Sequence, residues 1–210
     1  MIEEIELGEF DLDCFINESL DNENAITNTG GTVTRQVVFV IDASNSMRGY
    51  KIGAVNDCVN NIISKLRSLD RSKANPISIS VMGFSSRLFK WTESFVPASD
   101  FKYSYVEMVD GITDLNAAFQ ELTSLTSNSM KREARKYVVL FTDGLPTEDY
   151  SKGYEQWQRT ELFPEITRVI VAFDNDLCDP QSMSFFKDFV SNGLIIPITE
   201  QEQLLATLLN

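Results

Sequence analysis

Short, unbroken apolar runs rich in β-branched residues alternate with longer amphipathic stretches along most of this chain. The runs are "VVFVI" (37–41), "ISISVMGF" (77–84), "YVVLF" (137–141), "RVIVAF" (168–173) and "LIIPI" (194–198). A strand with one wet face alternates apolar and polar residues, whereas an unbroken run predicts a strand covered on both faces. Between them, residues 51–69 ("KIGAVNDCVNNIISKLRSL") place Ile52, Val55, Val59, Ile62, Ile63, Leu66 and Leu69 at helical spacing. Further helices are expected near 114–124, 154–163 and 180–191, and in the closing "TEQEQLLATLL", where Thr199 and Glu202 have capping-box spacing. The run "LFKWTESFV" (88–96) follows its predecessor after a tight "SSR" turn and is expected to pair antiparallel with it. The expected fold is α/β: a doubly wound, mostly parallel sheet of about six strands with one antiparallel edge strand and helices on both faces.

Residues 1–34 break this pattern. They hold nine Asp and Glu and no Lys or Arg, out of a formal net charge of −13 for the chain. They also carry Ile2, Ile5, Leu7, Phe10, Leu12, Phe15, Ile16 and Leu20, more apolar residues than a purely solvating tail needs. The division expected is therefore an acidic N-terminal extension, 1–34, and one domain, 35–210. The acidity argues against nucleic acid or an anionic membrane surface as partner. No apolar stretch approaches the roughly 20 residues that span a bilayer, and no basic region precedes an apolar run at the N-terminus. With Cys14, Cys58 and Cys178 widely spaced, a cytoplasmic protein with free thiols is expected. The chain has no histidine, which removes His-based catalysis and His-ligated metals.

Two of the strongest strands run into acid. The first ends in "DASNS", residues 42–46, and "YVVLF" runs into "TDG", residues 142–144. In a doubly wound sheet these loops gather at the carboxyl ends of the strands, where ligands bind. Asp42 and Asp143 at one edge repel unless a cation lies between them. Ser44, Ser46 and Thr113 add hydroxyls from the same end of the sheet. Asp42, Ser44, Ser46, Thr113 and Asp143 form an all-oxygen donor set, which suits Mg²⁺ or Mn²⁺. The plainer reading stays open: Asp42, Ser44 and Thr113 serve only as caps for the helices that follow.

The order Asp-x-Ser-x-Ser, then Thr113, then Asp143 resembles the metal-ion-dependent adhesion site (MIDAS) of von Willebrand factor type A (vWA) domains. The resemblance covers roughly residues 35–210. "FTDGLPTED" (141–149) and "AVNDCVNNIISKL" (54–66) are similar to bacterial TerY/YegL-type members, associated with tellurite-resistance loci. It implies a Rossmann-like sheet with the five residues near a metal. Asn45 stands where the pattern usually has glycine between the serines, and Ile112 where glycine often precedes the threonine.

The function this implies is a non-enzymatic, metal-dependent protein-binding module. A partner's acidic residue would complete the coordination, and Asn45, Met47, Arg48, Tyr50, Asp114, Glu148, Asp149 and Tyr150 would form the rim. The resemblance implies scaffolding in a stress-response, tellurite-resistance-like or defence system, with kinase or phosphatase partners. One alternative is a Mg²⁺-dependent phosphatase of the haloacid dehalogenase type using Asp42, although Ser44 stands where that pattern has a second Asp. Another is that the acidic arm does the binding and the site is structural.

Overall fold

The structure, a computed structural model, describes residues 33–70, 76–107, 109–144, 146, 148–173 and 175–209. All but two residues of the expected acidic extension, Cys14 included, therefore lie outside the described residues. In chain order the elements are β1 (Arg35–Asp42), α1 (Tyr50–Asp70), β2 (Ile77–Phe84), β3 (Leu88–Lys90), β4 (Val96–Pro97), α2 (Leu115–Asn128) and β5 (Arg135–Phe141). They continue with α3 (Ser151–Gln158), β6 (Ile166–Ala172), α4 (Pro180–Phe189), β7 (Ile195–Pro197) and α5 (Gln201–Leu209).

The strands form one seven-stranded sheet in the order β3-β2-β1-β5-β6-β7, with β4 also paired to β2. β1 pairs parallel with β2 and β5, β5 with β6, and β6 with β7. β3 and β4 run antiparallel to β2. This is the doubly wound α/β sheet expected, with one difference. Residues 88–96 form two short strands rather than one. The Trp91 amide donates to the Val81 carbonyl at 3.0 Å, and the next pair is Val96 with Ile79. Residues 92–95 thus bulge out opposite Ser80 alone.

The period of two along β1 builds two cores. Val37, Phe39 and Ile41 pack on one face with Val55, Val59, Ile62 and Ile63 of α1 and Leu204, Leu205 and Leu208 of α5. Val38 and Val40 pack on the other with Leu115, Phe119 and Leu122 of α2, Trp157 of α3 and Phe185, Phe186 and Phe189 of α4. All eight β1 residues are buried, so the strand lies between two helical layers, as its unbroken composition requires. Helix starts are capped locally: Asp114 accepts from the Asn116 amide and Asp179 from the Ser182 amide. The basic run 131–136 ends inside the fold. Lys136 is buried and donates to Glu165 at 2.9 Å and to the carbonyls of Arg132 and Ala134. Among the described residues, no helix is long and apolar enough to cross a membrane.

Candidate functional site

β1 and β5 are neighbours in parallel register, with Ile41 beside Phe141. The residues that leave their carboxyl ends, Asp42 on one side and Thr142 and Asp143 on the other, therefore emerge together. The loop after β1 is stitched to the end of β2 and to the segment before α2. The Ala43 amide donates to Phe84 at 2.7 Å, its carbonyl accepts from Asp110 at 3.1 Å, and the Asn45 amide donates to Gly111 at 3.1 Å. Gly111 has φ +77°, and a side chain there would meet the Ser86 hydroxyl at 2.3 Å. This tight passage delivers Thr113 to the site.

All five predicted residues are brought into one hydrogen-bonded network. Asp42 accepts from the Ser44 amide at 2.9 Å through Oδ1 and from the Thr142 hydroxyl at 2.8 Å through Oδ2. Thr113 donates to Ser44 Oγ at 3.0 Å, and the Ser44 and Ser46 hydroxyls lie 3.0 Å apart. Ser46 donates to Asp143 Oδ1 at 2.8 Å, and the Lys51 ammonium meets Asp143 Oδ2 at 2.6 Å. Asp42 is 0% exposed. Burial pushes its carboxyl up to about 6, against the opposing hydrogen bonds of Ser44 and Thr142, with the Asp143 charge adding a smaller upward push.

The expected Mg²⁺ or Mn²⁺ is corrected by this geometry. Among the described residues, no group of three or more His, Cys, Asp or Glu side chains is placed to hold a metal ion. The site offers only two carboxylates. One is buried and bound on both oxygens by protein donors, and the other is ion-paired. The repulsion expected between the two carboxylates is offset internally, by the ammonium of Lys51 on Asp143.

Other expectations also shift. Asn45, standing where the pattern usually has glycine, opens a 3-10 turn over Asn45–Met47 without a positive φ, so it carries no strain there. Met47, expected at the rim, is buried in the core. Tyr150 is half-buried against Phe185, with ring centroids 5.1 Å apart. Tyr50 does lie at the surface, 67% exposed, edge-on to Phe173 at 5.8 Å. Lys51 and Thr142 escaped the reading from sequence. Lys51 carried an available signal, since a cation in the first turn of a helix opposes the helix dipole and asks for a partner. A fully buried Asp42 also has no open path to a phosphoryl group.

The described fold has well-defined relatives. Human inter-alpha-trypsin inhibitor heavy chain H4 is 29% identical over 127 residues, covering 55% of this chain and 13% of that protein. The solved pilus adhesin SpaC from Lactobacillus rhamnosus GG superposes with a TM-score of 0.61 at 14% identity, covering 85% of this chain and 30% of that one. Proximal thread matrix protein 1 from the mussel byssus, solved with a zinc-occupied MIDAS motif, gives a TM-score of 0.61 at 14% identity over 85% of this chain and 48% of that one. At such identities the solved structures speak to the fold alone. The family model for the von Willebrand factor type A domain matches residues 36–177, from β1 past Asp143 to the approach to α4. On that match and the doubly wound sheet that carries it, the chain belongs to the von Willebrand factor type A domain family.

Proposed function

We propose that this domain is a non-enzymatic protein-binding module whose partner docks on the carboxyl edge of the sheet, over Ser46 and Thr113. The observation that carries this reading is the placing of apolar surface. Among the described residues, the exposed large hydrophobics are Tyr50, Tyr105 and Ile112. Tyr50 adjoins Lys51 and Ile112 adjoins Thr113, so two of the three flank the hydroxyl network. Aromatic and aliphatic anchors beside a polar cluster are the usual composition of an interface hot spot. The names of the relatives, an inhibitor heavy chain and a pilus adhesin, support binding rather than catalysis. So does the inaccessible Asp42 carboxylate, which is unsuited to nucleophilic attack.

In this reading residues 35–210 are the binding domain and residues 1–34 a separate acidic extension. The run "FTDGLPTED" and the helix sequence "AVNDCVNNIISKL" support a cytoplasmic scaffold of the TerY/YegL type, with kinase or phosphatase partners in a stress-response, tellurite-resistance-like or defence system. The test is affinity capture with the full chain, compared with a Tyr50→Ser/Ile112→Ser variant of unchanged thermal stability. A partner held by the native sequence and lost by the variant supports the edge as the docking face. Equal capture by both, with loss on deleting residues 1–34, would move the binding to the acidic arm.

A further inference from the structure

The family resemblance implies a bound dication at this edge, and the residues present do not fit one. We infer that Lys51 is the resident cation of the site: its ammonium neutralises Asp143 and so positions the loops that follow β1 and β5 without a divalent ion.

Lys51 is the second residue of α1, in a first turn that contains no acid. A positive charge there faces the positive end of the helix dipole, so the helix itself disfavours it. What the ammonium gains lies across the site. Nζ is 2.6 Å from Asp143 Oδ2, and it sits over the Phe173 ring, 5.3 Å from the centroid. Both contacts favour a cation. Asp143, in turn, has a side chain only 5% exposed, against 20% for Lys51. A carboxylate so withdrawn from water needs a charge partner, and Lys51 is the cation whose ion pair with it is observed.

The consequence runs along the hydrogen bonds. Held by Lys51 through Oδ2, Asp143 presents Oδ1 to Ser46, whose hydroxyl meets Ser44, which accepts from Thr113. The loops after β1 and β5 and the approach to α2 are tied together through this chain of contacts. An ammonium within hydrogen-bond reach of Asp143 also repels any dication brought to the same carboxylate. Lys51 fills this role whether or not a protein docks on the face.

The experiment is thermal unfolding of the full chain, Lys51→Met, Lys51→Arg, Asp143→Asn and the Lys51→Met/Asp143→Asn double variant, each in a chelator and in millimolar MgCl₂. The native midpoint should be the same in both buffers to within about 1 °C, where ligand-linked stabilisation would move it by several degrees. Lys51→Met should lower the midpoint by several degrees, because it strands a buried carboxylate. Lys51→Arg should restore most of that loss, and so should Asp143→Asn in the Lys51→Met background, since the stranded charge is then gone. A native midpoint raised several degrees by Mg²⁺ would overturn the inference. So would strictly additive effects of Lys51→Met and Asp143→Asn, which would mean that Lys51 does not act through Asp143.

Discussion

Thr142, buried at the end of β5, donates its hydroxyl to Asp42 Oδ2 at 2.8 Å, joining two residues that are a hundred positions apart. The next residue, Asp143, faces the other way, toward Ser46 and Lys51. One dipeptide thus clamps both halves of the site. One half is a buried carboxyl held by neutral donors; the other is the Lys51–Asp143 ion pair.

Thr142→Val should remove that donor while nearly keeping the shape of the side chain. It leaves one Asp42 oxygen without a partner in a site that water does not reach. The expected cost is about 1–3 kcal/mol, the penalty for an unsatisfied buried acceptor. Thr142→Ser, which keeps the hydroxyl, should lose less. Urea unfolding of the two variants checks the order, and equal losses would show that the methyl rather than the hydroxyl matters.

Asp42 should make stability depend on pH in a sense opposite to an ion-paired carboxylate. Burial raises its folded-state pKa from 3.8 to about 6. The folded chain therefore holds this proton more tightly than the unfolded chain does. The resulting stabilisation is full below about 3.8 and is lost as pH rises through about 6. It amounts to about 3 kcal/mol across that window. Asp42→Asn should flatten this component when unfolding midpoints are compared between pH 4 and pH 7. An unchanged difference between native and variant at both pH values would assign the dependence to other groups.

Gly111→Ala should destabilise the passage that carries Thr113. The backbone there has φ +77°, and the new methyl would meet the Ser86 hydroxyl at 2.3 Å. A left-handed non-glycine residue costs about 1–2 kcal/mol before any clash. Thermal unfolding should show a loss of several degrees, whereas Gly53→Ala, in a helix with open space around it, should be neutral or stabilising.

The described cysteines should react very differently. Cys58 is buried in α1, and burial pushes its thiol up to about 12, while Cys178 is exposed. Thiolate, not thiol, is the nucleophile. Brief alkylation of the native protein at neutral pH should modify Cys178 and spare Cys58, as read by peptide mass spectrometry. Rapid labelling of Cys58 would mean that α1 opens readily from the sheet.

The sheet was legible in the sequence because burial on both faces leaves a local mark. An unbroken run such as residues 37–41 marks a strand covered on both faces, and the 3–4 spacing of α1 marks the layer that covers it. The site's five oxygen-bearing residues were legible for a related reason: parallel strands deliver their following loops to one edge, so acids just past two apolar runs must meet. What those acids do on meeting was decided only by the tertiary structure. The sequence pattern admitted a dication between Asp42 and Asp143. The fold instead buries Asp42 against Thr142 and swings Lys51 from the start of α1 onto Asp143. The bulge over 92–95 and the burial of Met47 and Lys136 belong to the same class. Each depends on which side chains come within reach in three dimensions, and on how much water is left around them. Local patterning records which face of an element is covered. It carries no record of which charge, ninety residues away, will arrive to neutralise another.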